Sequence, residues 1–234
     1  MAGNMALRVV PAALVALGLV AGGWAMGNGL VRAKAAGREV TVRGLAERDV
    51  VADLATWTLD YSATGGDLTT VQAQIDHDTQ AIQALLTANG FTADEASVAG
   101  TTVNQFRNNQ GVLTITIRQK LQLRTTKVMQ ARRTFAQQTA LVRQGVALQD
   151  SSGIVYSFTK LNALKPAMIG EATRDARAGA QQFAHDSGAG VGAIRHATQG
   201  YFTVGARDGE GEGSGQASPF QKVRVVTTVD FLLD

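Results

Sequence analysis

The stretch EATRDARAGAQQFAHDSG, residues 171 to 188, brings Glu171, Arg174, Asp175, Arg177, His185 and Asp186 onto one short segment. Carboxylates and imidazoles move protons, and guanidinium groups hold carboxylates and phosphates, so this density raises the question of a reaction centre. On a helix, residues four apart share a face. Here that face is Met168, Ala172, Ala176, Ala180 and Ala184, with Ile169, Gly179 and Phe183 alongside. The ionisable groups lie mainly off the stripe, and Glu171 and Arg174 form an i,i+3 pair of the kind found on solvated faces. The spacing predicts a structural helix whose small side chains let it lie close against a sheet or another helix.

The remaining chemistry-bearing residues do not assemble a recognised centre in the sequence. His77 stands between Asp76 and Asp78, but adjacent helical positions diverge by about 100° and cannot converge on one ion. No HExxH spacing is present. His196 falls on the phase of Ile194, Phe202 and Val204 and reads as a buried or edge residue. Ser, His and Asp adjoin in residues 185 to 187, yet a triad is made by geometry and not by adjacency, and no G-x-S-x-G elbow accompanies it. Asp208, Glu210 and Glu212 before Gly213 resemble the start of a calcium loop, but its twelfth position is Pro219 where a bidentate acid is needed. GxxxxGK[ST] is absent. With no Cys in the chain, disulfides, thiolate nucleophiles and Cys-based metal sites are excluded. The expectation is therefore a non-enzymatic protein with no catalytic, cofactor-binding or metal-ligating residue and no cofactor. The alternative is a small-molecule binder or hydrolase with a pocket between sheet and helices, using Arg174, Arg177, Asn162 or His196 as polar contacts.

The 234 residues are 45% hydrophobic and 18% charged, enough for a buried core. A net charge of +3 invites a polyanion partner, but residues 1 to 35 hold Arg8, Arg32 and Lys34 and no acid, so the other 19 basic residues exactly balance the 19 acidic ones. A neutral body lacks the cationic surplus that phosphate backbones require, and no nucleic-acid partner is expected. Between Arg8 and Arg32 run 23 uncharged residues, long enough as a helix to cross a hydrocarbon layer of about 30 Å. Residues 1–35 are read as a signal-anchor or signal-peptide segment and 36–234 as an extracytoplasmic domain. Trp24 and the full uncharged length favour an anchor in the inner membrane with the domain in the periplasm. Ala33 and Ala35 supply a cleavage site for the alternative, a soluble periplasmic or secreted product. Gly18 and Gly22 form a small-xxx-small pair.

Strict alternation marks half-buried strands. In VLTITIRQKLQLR, Leu113, Ile115, Ile117, Leu121 and Leu123 oppose Thr114, Thr116, Arg118, Lys120 and Arg124; near the C-terminus, Val223, Val225, Val229, Phe231 and Leu233 oppose Lys222, Arg224, Thr228 and Asp230. REVTVRG and GIVYSFT give shorter strands. In RDVVADLATWTLDY the apolar phase passes from Val50, Ala52 and Leu54 to Ala55, Trp57, Leu59 and Tyr61, which predicts a bulge near Leu54 and Ala55. Three segments have helical spacing. One follows Asp67 with Leu68, Val71, Ile75, Ile82 and Leu85 inward and ends at Gly90; a second runs from about Lys127 to Arg143; the third takes Asn162 as cap with Pro166 in its first turn. Helices separated by strand pairs indicate an α+β fold of mostly antiparallel sheet with about three helices, preceded by one hydrophobic N-terminal helix. Residues 207 to 219 form a Gly-rich connection between the final two strands.

VTVRGLAERDVVADLATW, the segment from FTKLNALKP to EATRDARAGAQQFAHDSG, GAIRHATQGYF and KVRVVTTVDF together resemble the SIMPL-domain family, long catalogued as a domain of unknown function. The resemblance covers essentially residues 38 to 234 and rests on an early VxVxG strand (Val40, Val42, Gly44), a late A-R-x-x-A helix (Ala176, Arg177, Ala180) and the C-terminal strand. It implies an exported, envelope-associated bacterial protein of α+β fold with no established catalytic residues. The function this supports is protein association in the envelope, with a homo-oligomer or an envelope protein as partner and the membrane engaged through the N-terminal helix.

Overall fold

A computed structural model describes residues 17–29, 38–208 and 216–234. In chain order the elements are α1 (17–29), β1 (Glu39–Val51), β2 (Leu54–Gly65), α2 (Leu68–Ala88), a single 3-10 turn (Ala93–Glu95), β3 (Ala96–Arg107), β4 (Leu113–Thr125), α3 (Val128–Phe135), α4 (Thr139–Arg143), β5 (Gly153–Ser157), α5 (Leu161–Asp186), β6 (Val191–Gln199), β7 (Thr203–Ala206) and β8 (Phe220–Leu233). The strands form two antiparallel four-stranded sheets, β1-β8-β6 with β7 also on β8, and β3-β4-β2-β5. The α+β architecture expected from the pattern is the one observed.

By their contacts the described residues divide into two compact units, one made of those up to Ala46 with Ala167–Tyr201 and Val225–Asp234, the other of Glu47–Pro166 with those in Phe202–Arg224. In the first, Ala176 and Ala180 of α5 are buried with Val229 and Phe231 of β8, and Val40, Val42 and Val191 pack around them. The predicted small-residue stripe is the buried face: Met168, Ala172, Ala176 and Ala180 are fully inaccessible and Ala184 nearly so. Small residues are needed because the strand comes unusually close. A Cβ on Gly44 would stand 1.9 Å from the Ala172 carbonyl oxygen and 2.5 Å from the Ala176 nitrogen, intruding on the helix's own backbone hydrogen bond. Beside it, the Asp175 carboxylate accepts the Leu45 N–H at 2.9 Å, and the Arg177 guanidinium lies 4.8 Å above the Phe231 ring. Phe183, expected along the stripe, is 61% exposed. Each i,i+4 step turns about 40° around the helix, so by Ala184 the buried direction has rotated away from Phe183.

In the second unit, β2 and β4 pair from Ala55 with Thr125 to Gly65 with Ile115. They turn Trp57, Leu59, Tyr61, Ile115, Ile117, Leu121 and Leu123 toward Val71, Ile75, Ile82 and Leu86 of α2 and toward Val128, Ala131 and Leu141. The alternation read for β4 is the alternation observed. Trp57 meets Phe135 edge to face at 5.5 Å. As expected, Asp67 caps α2 by accepting the Thr70 N–H at 2.9 Å. After α2, Gly90 adopts φ 81° while Phe91 N–H bonds back to the Leu86 carbonyl at 3.1 Å, a left-handed exit that favours glycine. Leu68, first in its helix, is 42% exposed, and Asp78 and Leu86 occupy the inward face instead.

Four local expectations need correction. The phase change in RDVVADLATWTLDY is an exit from one sheet into the other, not a bulge: Ala52 N–H bonds to Pro219 O at 2.8 Å, Asp53 N–H bonds to Ser157 O at 3.1 Å, and the Asp53 carboxylate accepts the Thr159 N–H at 2.7 Å. The second helix is broken between α3 and α4 because consecutive i→i+3 bonds from Gln137 and Gln138 tighten the turn, next to a Thr134 hydroxyl that bonds back to Gln130 O at 3.1 Å. The third helix begins at Leu161, so Asn162 lies inside it and Pro166 falls beyond the first turn, leaving the Asn162 carbonyl without its helical donor. The two strands expected at the C-terminus are three, since Gly200, Tyr201 and Phe202 separate β6 from β7. At the N-terminus, α1 is helical as expected. Among the described residues no helix is long and apolar enough to cross a membrane. The rest of the 1–35 segment, with Ala33 and Ala35, and the loop acids Glu210 and Glu212 lie outside the described residues.

The closeness at Gly44 is measurable. Gly44→Ala is expected to cost about 3 kcal/mol or more, because backbone must move. Gly179→Ala, whose Cβ would meet only Val42 Cγ1 at 3.0 Å, should stay within about 1 kcal/mol of wild type as gained helix propensity offsets the crowding. Urea midpoints read at constant slope decide; equal shifts would refute the close-approach account.

Candidate functional site

The residues proposed from sequence as pocket contacts occupy ordinary positions. Arg174 is exposed on α5, and Arg177 covers Phe231. His196, on edge strand β6, is exposed with Nε2 3.0 Å from Thr198 Oγ1. Asn162, in the second unit, is exposed near the start of α5. None of the four lines any of the concavities described below. His77 Nδ1 lies 3.5 Å from Asp78 Oδ1, and His185 Nδ1 lies 3.4 Å from Asp186 Oδ1, each a pairing of sequence neighbours. Ser187 donates to the Ala184 carbonyl at 3.0 Å, closing α5. Asp208 is held by Nε and Nη2 of Arg207, both at 2.9 Å. Among the described residues no group of three or more His, Cys, Asp or Glu could hold a metal ion.

A different residue stands out. Asp60 lies on β2 opposite Lys120 of β4, in the outward phase of TWTLDY, where alternation sends a side chain to solvent. It is nevertheless only 5% exposed. The loop before β5 folds over it. Gln149 N–H bonds to Asp60 O at 2.7 Å, the Ser152 hydroxyl accepts the Asp60 N–H at 2.9 Å, and Ser62 N–H reaches Ala147 O at 3.2 Å. Asp60 Oδ2 accepts the Ser151 hydroxyl at 2.7 Å and has Lys120 Nζ at 3.7 Å. Its other oxygen, Oδ1, is buried and has no hydrogen-bond donor among the described residues. Two shallow recesses meet at this carboxylate. One, of about 270 Å³, is lined by Asp60, Arg118, Gln149, Asp150 and Ser151. The other, of about 250 Å³, is lined by Asp60, Gly100, Thr102, Arg118 and Lys120. Sequence reasoning missed this site because burial of an outward residue depends on a loop 90 positions away in the chain. The available signal was a lone acid in an otherwise Thr-rich outward row, Thr56, Thr58, Ser62 and Thr64.

Among the ionisable groups displaced from their ordinary behaviour, Tyr61 and Glu95 are structural. Burial pushes the Tyr61 phenol up although its oxygen lies 2.6 Å from Thr79 Oγ1, so it stays neutral in the core. Glu95 is shifted from 4.5 to about 2, first by the Thr125 hydroxyl, then by the Thr92 N–H and by Lys127. These donors sit 2.5, 3.0 and 2.9 Å from its oxygens, tying the 3-10 turn to the end of β4. A carboxylate whose folded value is depressed stabilises the fold above its unfolded value, and that stability is lost as pH falls from about 4.5 toward about 2. Glu95→Gln is therefore expected to cost about 1 kcal/mol at neutral pH after solvent screening. The gap between variant and wild type should close across that acid window, read as melting temperature against pH; a gap independent of pH would refute the clamp.

Comparison with protein families matches residues 40–231 to the family described as SIMPL, a protein of unknown function (DUF541). Comparison with curated proteins gives no match. The matched span contains Val40, Val42, Gly44, Ala176, Arg177 and Ala180, the residues that dock strand β1 and helix α5.

Proposed function

We propose that this chain, which belongs to the SIMPL family, is a non-enzymatic protein of the cell envelope that works by associating with other proteins, either copies of itself or envelope partners. The observation that carries this reading is strand β3. It closes one end of its sheet, and all its positions after Ala96 are exposed. Val98, Val103 and Phe106 on it are 48%, 49% and 67% exposed. An unpaired row of N–H and C=O groups beside apolar side chains can receive an extended segment of another chain. Lysines on an edge strand discourage an added strand, and β3 has none. Asp175, Glu95 and Asp53 are spent on clamps between backbone segments.

The uncharged run between Arg8 and Arg32 supports export, with an inner-membrane anchor and the family domain in the periplasm. It also makes the membrane a partner. The balanced charge of residues 36 to 234 supports the absence of a nucleic-acid partner.

A photo-crosslinking side chain placed at Val103 or Phe106 in cells should yield protein adducts, and Val103→Lys should reduce the adducts formed at Phe106 at least about fivefold by charging the edge. Adducts that form equally from exposed helix positions such as Arg174 would refute the role of β3. Fractionation with intact-mass analysis should find the full-length chain in the membrane; a soluble product beginning near Ala36 would replace the anchor with a cleaved leader.

A further inference from the structure

We infer that β3 pairs antiparallel with β3 of a second copy of this chain, about a twofold axis at Val103, with Phe106 of each copy laid across Gly100 of the other. The inference rests on the association reading above and gives it a partner and a register. A knob and a hole lie on one face of this strand. Phe106 pairs with Thr114, Gly100 with Lys120 and Thr102 with Arg118, so all three are turned to the polar side of the sheet, away from α2. Phe106 is 67% exposed. At Gly100 nothing lies within 4 Å of where a Cβ would stand, and a recess of about 250 Å³ opens there, lined by Gly100, Thr102, Arg118, Lys120 and Asp60. The strand cannot fill its own hole, because six residues of extended chain hold Phe106 about 20 Å from Gly100. A second copy supplies both halves of the fit, twice.

The backbone fits the same register. Asn108 N–H is turned to Val112 O at 3.1 Å, so alternation turns the N–H and C=O of Phe106, Asn104 and Thr102 toward β4 and leaves those of Thr101, Val103 and Gln105 at the free edge. Centred on Val103, an antiparallel pair joins Val103 to Val103 and Thr101 to Gln105 by backbone hydrogen bonds. Phe106 and Gly100 then face each other as a non-hydrogen-bonded pair, the kind whose Cα atoms come within about 4.5 Å. An aromatic ring across a cross-strand glycine is a stabilising arrangement. Beyond the glycine, Lys120 and Arg118 offer cations to the ring.

Other registers fit less well. A shift of one residue sets inward side chains against outward ones. A shift of two takes Phe106 onto Thr102, or onto Val98 beyond the register shift that ends the regular stretch at Gly100. Charge does not oppose the twofold pairing, because β3 carries none from Ala96 to Phe106. The outer strands of the other sheet differ in this respect: β1 carries Arg43, Glu47 and Arg48, and β6 carries Arg195. A seven-residue edge is small beside the roughly 800 Å² per partner of a stable interface, so the pairing is a weak one, best read by covalent trapping.

The chain has no Cys, so single substitutions in the full-length protein, in mild detergent with a mild oxidant, report the register directly. Val103→Cys should form disulfide-linked dimers, since its Cα atoms would stand about 5.5 Å apart across the axis. Thr101→Cys alone and Gln105→Cys alone should not, because like residues then lie about 14 Å apart, beyond the reach of a bridge. A mixture of those two proteins should cross-link. Phe106→Ala added to Val103→Cys should slow dimer formation at least about fivefold, while Phe106→Tyr keeps it within about twofold. All these positions are exposed, so the fold is not at stake. The proposal is overturned if Val103→Cys stays monomeric, if Thr101→Cys or Gln105→Cys alone cross-links as fast as their mixture, or if Phe106→Ala changes nothing. A monomeric Val103→Cys together with photo-adducts of a different protein at Val103 in cells would remove the second copy but leave the association reading; neither product would remove both.

Discussion

The closest constraint in the molecule is the contact between the backbone of β1 and the backbone of α5 at Gly44. With 1.9 Å between the site of a Cβ and the Ala172 carbonyl oxygen, strand and helix approach as only a glycine permits. Everything around it follows from that separation. The helix must present alanines every fourth residue, Val40 and Val42 can reach its flank, and the Leu45 N–H, one residue past the glycine, falls within reach of Asp175. Arg177, adjacent to the buried Ala176, then lies over the Phe231 ring. A run of charges that looks like an active site in the sequence is the outer lining of this docking, with some of its members used as clamps. The residues that carry the resemblance, Val40, Val42 and Gly44 with Ala176, Arg177 and Ala180, are thus packing residues in this chain.

The second unit treats the two faces of a sheet differently. Toward α2 it is a dense apolar layer centred on Trp57, Leu59, Tyr61, Leu121 and Leu123, all fully buried. On the other side is a polar surface of Thr, Arg, Lys and Gln with Asp60 sunk in it. The core face tolerates little change of volume, whereas the polar face can carry function with no cost to the core. The same unit spends carboxylates on holding its turns: Asp67 caps α2, Asp53 pins the exit from β1, and Glu95 gathers donors from Thr92, Thr125 and Lys127. Asp60 differs from these three in having an oxygen left over.

Much of the fold was legible because period follows geometry. Alternation in β4 and β8 and the four-residue stripe of α5 identified buried faces correctly, since side-chain direction is set by the strand pleat and the helix pitch. The errors fall where local rules compete with distant partners. The phase slip after Ala52 looked like a bulge because a sequence shows a change of face but not the change of sheet that causes it. Asn162 looked like a cap because Pro166 favours a first turn, yet the helix starts at Leu161 despite the lost hydrogen bond. The span from Lys127 to Arg143 looked like one helix, while the Thr134 hydroxyl and the tightened turn after it break α3 from α4.

By itself, the sequence determined the class of fold, the buried faces of β4, β8 and most of α5, the neutral charge of the main body and the family. These depend on residue types at fixed short separations, which local geometry converts directly into faces. Only the tertiary structure decided that Asp60, on an outward strand position, would be withdrawn from water. Asp60 is buried because Gln149, Ser151 and Ser152 are carried over it by a loop whose path is set by β5 pairing with β2. No period in the chain encodes that meeting; it arises when distant segments are brought together, and so does the unfilled acceptor at its centre.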